Sequence, residues 1–273
     1  MPTQKIHLKK ILQALGIFFG ITIFTVALLL ITTFPYRKPL AVSIWKHFHN
    51  ENLATFLDRN SSVLAFTIGE YYFNHGSYDI AKAESYYTRA ITLDAQYLEA
   101  YYQRGRVFFI QGKFSRASVD MQTVLRIDPE FKKAHYMLGL INGYSGALDQ
   151  AIEDFKTFLE WKPSSWAGHN DLVWVYFQKG DYKNAKEVAI KGLVFAPENP
   201  WLENALGVAL MNLEDLDQAR EHFEQALKHA NQLTPERWGA AYPGNDPTLY
   251  AKGLDTMRAS IQKNLDLLIK KGS

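Results

Sequence analysis

The sequence predicts an all-α chain in which one long apolar helix precedes a stack of helix-turn-helix units. Three observations point there: an uncharged run near the N-terminus, small residues and prolines that recur every 34 residues, and apolar positions at helical spacing within each recurrence. With 273 residues, 47% of them hydrophobic and 21% charged, the chain can bury a core and is not a disordered composition. The 30 Lys plus Arg against 28 Asp plus Glu leave a net charge of +2, which offers no basic footprint for nucleic acid. The sequence contains no cysteine, so disulfide scaffolds, thiolate zinc sites and cysteine nucleophiles fall away while the compartment stays open.

After a basic tail, 1–10, the run ILQALGIFFGITIFTVALLLITTF over 11–34 carries no charge. As a helix it is about 36 Å long against about 30 Å of hydrocarbon, enough to span a bilayer with some tilt. A cleaved signal peptide would need only about 7 to 15 apolar residues. Lys5, Lys9 and Lys10 on one side face Arg37, Lys38 and Lys46 on the other. The small bias, read by the positive-inside rule, puts the N-terminus in the cytoplasm and the body across the membrane. In the juxtamembrane stretch 35–61, Val42, Trp45, His49, Leu53 and Phe56 share a helical face, with Trp45 placed for the headgroup level. The same face also suits an extra half-unit packed on the next element.

Alanines Ala83, Ala117, Ala151, Ala185 and Ala219 recur, each 34 residues after the last. Gly105, Gly139 and Gly207 keep the same period, as do Gly112, Gly146 and Gly180, and Pro129, Pro163 and Pro197. Within 98–131, Tyr101, Val107 and Phe108 precede Gly112, and Phe114, Ala117, Met121, Val124 and Leu125 follow it, so two helices flank a glycine turn. Gly105 and Ala117 would let the pair approach closely, and Asp128 with Pro129 suits a cap and the first helical position of the next unit. A large side chain at Ala151 should overpack its crossing by about 1 to 3 kcal/mol.

On these residues the chain resembles the tetratricopeptide repeat family over 62–231, with units at about 62–97, 98–131, 132–165, 166–199 and 200–231. The resemblance implies a right-handed superhelical solenoid. Four positions depart from the pattern: Arg104 replaces a leucine, Val173 and Glu214 replace glycines, and Asn231 stands where a proline would close the last unit. Gly69 and Gly76 come two residues earlier than Ala83 predicts, which implies a two-residue insertion around 77–82. The period then stops. A loop is expected over 232–246, broken by Pro235, Gly239, Pro243 and Gly244, and a capping helix over 247–273 with Tyr250, Leu254, Met257, Ile261, Leu265 and Leu268 along one side. That stripe would equally serve dimerisation or a neighbour's groove.

The family's geometry implies a concave groove lined by the first helix of each unit. The first unit would give Phe66, Glu70 and Phe73, and the second Tyr102, Arg106 and Phe109. Tyr136, Leu140 and Tyr144 would follow from the third, Asn170, Trp174 and Phe177 from the fourth, and Trp201, Asn204 and Met211 from the fifth. Such an aromatic lining suits an extended peptide or an amphipathic helix held by apolar anchors. The clamp with which some relatives grip a C-terminal carboxylate is not matched, because Phe66, Glu70, Gln103, Lys133 and Met137 occupy its places.

Eight histidines are scattered without metal-ligand spacing; His47 with His49 and His222 with His229 form no cluster. No phosphate-binding glycine loop, nucleophile elbow or HExxH helix occurs, so no catalytic residue, metal or cofactor is expected. Together these readings describe a single-pass membrane protein that contacts the bilayer through 11–34. Its repeats would bind other proteins in assembling a membrane or envelope complex. The alternative is an accessory subunit whose repeats are permanently buried, as a homodimer or against an enzyme.

Overall fold

The computed structural model describes residues 25, 37–75, 78–241 and 247–271. The apolar run 11–34 lies outside them except for Thr25, and among the described residues no helix is long and apolar enough to cross a membrane. Every described element is helical, and the array is an all-helical solenoid of paired antiparallel helices.

Two helices precede the repeats, α1 (Arg37–Phe48) and α2 (Glu51–Leu57). His49 takes a left-handed φ of 49° between them, so the single helical face expected through 42–56 is broken. Trp45, expected to present its indole at the headgroup level, points into the protein. It is 2% exposed and packs edge-on against Tyr71, 5.3 Å away, because α1 folds down onto the first unit and extends the stack as a half-unit would.

The five pairs are α3 (Ser62–Glu70) with α4 (Ile80–Leu93), α5 (Leu98–Ile110) with α6 (Phe114–Ile127), α7 (Lys133–Tyr144) with α8 (Leu148–Trp161), α9 (Trp166–Gln178) with α10 (Tyr182–Phe195), and α11 (Pro200–Asn212) with α12 (Leu216–Asn231). Each helix contacts its partner and the next unit, which is how a quasi-one-dimensional array gains stability. The expected close crossings are where the alanine series lies: Ala83, Ala117, Ala151, Ala185 and Ala219 are all fully buried, one near the start of each second helix. Ala185, on α10, belongs to the core cluster that also holds Val173 and Ala189.

Gly112, Gly146 and Gly180 turn each first helix into its second at φ of 70°, 82° and 70°, and Glu214 adopts 64° at the fourth equivalent place. After the turn an amide reaches back five residues, as in Lys113 N–H to Phe108 O. In the first unit Asp79 N–H reaches back seven, to Tyr72 O, and Tyr78 holds the left-handed position at φ 48°. The two extra residues therefore lie between Tyr72 and Asp79, earlier than the expected 77–82, and a π-helical turn over Tyr71–His75 absorbs part of them. The prolines also differ from expectation. Asp128 caps the end of α6, and Phe131 N–H bonds back to its carbonyl at 3.1 Å, so Pro129 occupies the second position of a β-turn between units. Pro163 and Pro197 repeat that arrangement, with the turn closed by Ser165 and Asn199 N–H.

Small and large residues alternate across each helix pair. A Cβ on Gly139 would come within 2.9 Å of the Phe155 ring, and one on Gly207 within 2.6 Å of Phe223; Gly105 faces Met121 and Gly69 faces Tyr87. In the fourth unit the equivalent pair is Val173 and Ala189, both fully buried. The pair keeps its volume and exchanges the large and small places, which explains the valine where a glycine was expected. The expected leucine at Arg104 is replaced by an ion pair: its Nε and Nη2 each donate at 2.8 Å to Asp120, which is 2% exposed.

The segment 232–246, expected as a loop, contains a short helix, α13 (Pro235–Ala240), started by Thr234, whose hydroxyl accepts from Arg237 N–H. A 3₁₀ turn (Pro247–Leu249) leads into α14 (Tyr250–Lys271). Leu254, Ile261, Leu265 and Leu268 are buried along α14, which closes the end of the stack by packing on α12. Trp238 fits over Gly253 and Tyr250 over Gly239, positions where a Cβ would come within 2.1 and 2.2 Å of the rings. These reciprocal contacts lock α13 to α14.

Candidate functional site

The first helices of successive units face one way, and two cavities lie along the surface they form. The first, of about 490 Å³, is bounded on α5 by Tyr102, Arg106 and Phe109 and on α7 by Tyr136 and Leu140, with Lys133 at its rim. The second, of about 420 Å³, lies between Asn170, Trp174 and Phe177 of α9 and Trp201 and Asn204 of α11. Ten of the fifteen groove residues expected from sequence thus line one of the two cavities.

The remaining five behave differently. Glu70 accepts from the Tyr87 hydroxyl and from Asn74 Nδ2 and lines neither cavity. Tyr144 is 57% exposed and joins the cavities: its ring lies 4.7 Å from Trp174 and 5.4 Å from Phe109. Met211 is half-buried against the core of the last units, and Phe66 packs between Tyr87 and Tyr97. Phe73 does not belong to the groove. It is 2% exposed in the N-terminal core, where Arg106 stacks on its ring at 4.8 Å, because the widened first turn directs it inward.

Three contributors were not foreseen from sequence. The C-terminal segment returns over the concave face: Ala241 lines the first cavity, while Trp238, Gly253 and Met257 form the far wall of the second. Asn264 Nδ2 donates to Asn204 Oδ1 at 3.0 Å, which fixes α14 to α11. A tryptophan inside a Pro- and Gly-rich stretch was the one available signal, since such a ring needs a docking place. The third contributor is Asp171. Its Oδ2 accepts from the Tyr136 hydroxyl at 2.6 Å and its Oδ1 from Asn170 Nδ2 at 3.4 Å. Burial pushes its carboxyl up to about 6, against the two hydrogen bonds that lower it.

At three other crossings an acid meets a base, whereas Glu70 accepts from the Tyr87 hydroxyl and Glu51 from those of Tyr72 and Tyr86. His135 Nδ1 lies 2.9 Å from Asp154, and at the matching places two units on, His222 Nδ1 lies 2.6 Å from Glu203 with acid and base exchanged. His222 is therefore part of a packing pair. His169 is also structural: its Nε2 lies 2.9 Å from Pro163 O, and burial lowers its pKa. Among the described residues no group of three His, Asp or Glu side chains is placed to hold a metal ion. The surface described is suited to contact: rigid rings, two recesses and a few polar groups between them.

Segments 98–131 and 132–165 match one tetratricopeptide repeat model and 202–233 match another, so the chain contains tetratricopeptide repeats. No curated protein matches the sequence. Among solved structures, MamA from Desulfovibrio magneticus is similar at 20% identity and a TM-score of 0.57, covering 63% of this chain and 96% of that one. YrrB, described as a TPR protein with an unusual peptide-binding site, is similar at 17% identity and a TM-score of 0.53, covering 64% and 90%. A TPR protein of Thermus thermophilus is similar at 18% identity and 0.53, covering 74% and 99%. At these identities the likeness is one of fold.

Proposed function

We infer that this tetratricopeptide repeat chain is a non-catalytic scaffold that holds a segment of another protein in its concave groove, and that its N-terminal run fixes it to a membrane. The observation that carries this reading is the pair of aromatic cavities joined by Tyr144, built from equivalent positions of consecutive units. Recesses spaced along one face suit anchors spaced along one peptide or helix. The uncharged stretch 11–34 supports the anchor, and Lys5, Lys9 and Lys10 support a cytoplasmic N-terminus with the repeats on the far side. Confinement to a surface raises the concentration of the groove toward membrane partners, so modest affinity suffices for assembling a membrane complex.

The test uses the full-length chain in lipid nanodiscs carrying a photocrosslinker at Tyr144, against one with Tyr102, Tyr136 and Trp174 changed to alanine. Partners crosslinked to the native chain and lost with the triple variant, which must retain its helical circular dichroism, are the expected result. Identical crosslinks in both would place binding elsewhere. A permanently assembled accessory subunit is the second reading, favoured by Ile190, Val194 and Phe195, which are 44%, 75% and 50% exposed together on α10. A stable dimer by light scattering in detergent, lost on changing Val194 and Phe195 to serine, would support that second reading.

A further inference from the structure

Among the described residues, Asp171 has no base. At three helix crossings Asp120 meets Arg104, Asp154 meets His135 and Glu203 meets His222, each within 2.9 Å, while Glu70 at the first crossing accepts from the Tyr87 hydroxyl and Asn74 amide and lies outside the two cavities. Asp171 is held by neutral donors, the Tyr136 hydroxyl and the Asn170 amide, and no described lysine or arginine pairs with it. Its place makes that incompleteness informative. Tyr136 lines the first cavity and Asn170 the second, and the half-buried carboxylate, in neither lining itself, is hydrogen-bonded to both. One turn along the same face of α9 is Trp174, whose ring lies 4.7 Å from the exposed Tyr144 ring at 32°.

A half-buried carboxylate beside the exposed Tyr144 ring and the partly exposed Trp174 ring is the chemistry that receives an ammonium or guanidinium group: charge from one side, ring quadrupoles from the other. Of the two cations at the first cavity, Arg106 Nη1 donates to Gln103 Oε1 at 2.6 Å and its guanidinium stacks on Phe73, while Lys133 is exposed at the rim and forms no ion pair with Asp171. Resting on the groove reading above, we propose that the partner segment carries a lysine or arginine flanked by apolar residues, and that Asp171 with Trp174 and Tyr144 binds that cation while the flanking residues fill the two cavities. Leaving the carboxylate without a counter-ion keeps a desolvated charge for the ligand to neutralise, which favours basic segments over equally apolar neutral ones.

The probe is a random dodecapeptide phage library panned on the full-length chain in nanodiscs. The wild type should enrich Lys or Arg at one position between apolar residues by about 10-fold or more, the ratio that one charge-assisted contact supplies. Asp171→Asn, which preserves an acceptor for Tyr136, should enrich the apolar positions without the basic one, and Asp171→Lys should replace it by Asp or Glu. If wild type and Asp171→Asn enrich the same apolar motif with no basic position, and Trp174→Ala loses it, the cation proposal is overturned while the groove reading stands. A motif unchanged by both Tyr102→Ala and Trp174→Ala, or no motif from the wild type, overturns both.

Discussion

The exchanged pair in the fourth unit makes a quantitative test of how the helix pairs are packed. Gly105 and Met121, Gly139 and Phe155, and Gly207 and Phe223 each stand 16 residues apart with the small residue on the first helix; Val173 and Ala189 keep the spacing and reverse the sizes. Changing Val173 to glycine removes three buried carbons, worth about 2.4 kcal/mol, and adds about 0.4 kcal/mol of helix propensity loss. Changing Ala189 to phenylalanine alone forces a ring against Val173, at about 1 to 3 kcal/mol. Independent effects would sum to about 4 to 6 kcal/mol. The double variant instead recreates the pairing of Gly139 with Phe155, so it should fall at least about 2 kcal/mol short of that sum. Because repeat arrays need not unfold in one step, native-state hydrogen exchange of the α9 and α10 amides is the suitable assay. Additivity within about 0.5 kcal/mol would refute the reasoning and mean that the two side chains do not share one space.

Glu214→Gly should stabilise the last unit by about 0.5 to 1 kcal/mol, since a glutamate at φ 64° is strained where three other units use glycine; unchanged exchange in α11 and α12 would count against this. Arg104→Leu alone strands a buried carboxylate at Asp120 and should cost about 3 to 5 kcal/mol, whereas Arg104→Leu with Asp120→Val should return to within about 1 kcal/mol of wild type by thermal unfolding. For Asp171 the folded pKa of about 6 lies above the unfolded value, so the folded chain binds the extra proton between about pH 4 and 6. Stability should therefore fall by about 1 to 3 kcal/mol as pH rises through that window. Asp171→Asn should remove that part of the slope in circular dichroism melts.

The repeats were legible because their signals are covalent in origin: a left-handed turn selects glycine, a fixed β-turn selects proline, and a close crossing selects alanine, all at one period. Most of the lining of the two cavities was legible for the same reason, as equivalent positions on equivalent helices face the same way. Phe73 escaped because local insertion changes the direction of a side chain without changing its type. Val173 looked like a defect in isolation, since its compensation sits on another helix at Ala189. Trp238 and Ala241 were out of reach because no periodicity extends past Asn231, and what a unique segment covers is decided by shape.

The returning C-terminal segment alters the mechanics of the whole array. A solenoid whose units touch only their neighbours behaves as a spring, with curvature free to change a little at every joint. Here Leu265 and Leu268 are embedded with the core of the last units, while Ala241 reaches the recess between the second and third. The segment is a chord drawn across the arc, and α13 is riveted to α14 by Trp238 on Gly253 and Tyr250 on Gly239. A chord fixes the radius of the arc it subtends, so widening the groove for a thick ligand means lifting Ala241, whereas a thin one can slide beneath. On the proposed groove reading, the place of Ala241 bounds the girth of a segment that can lie beneath it.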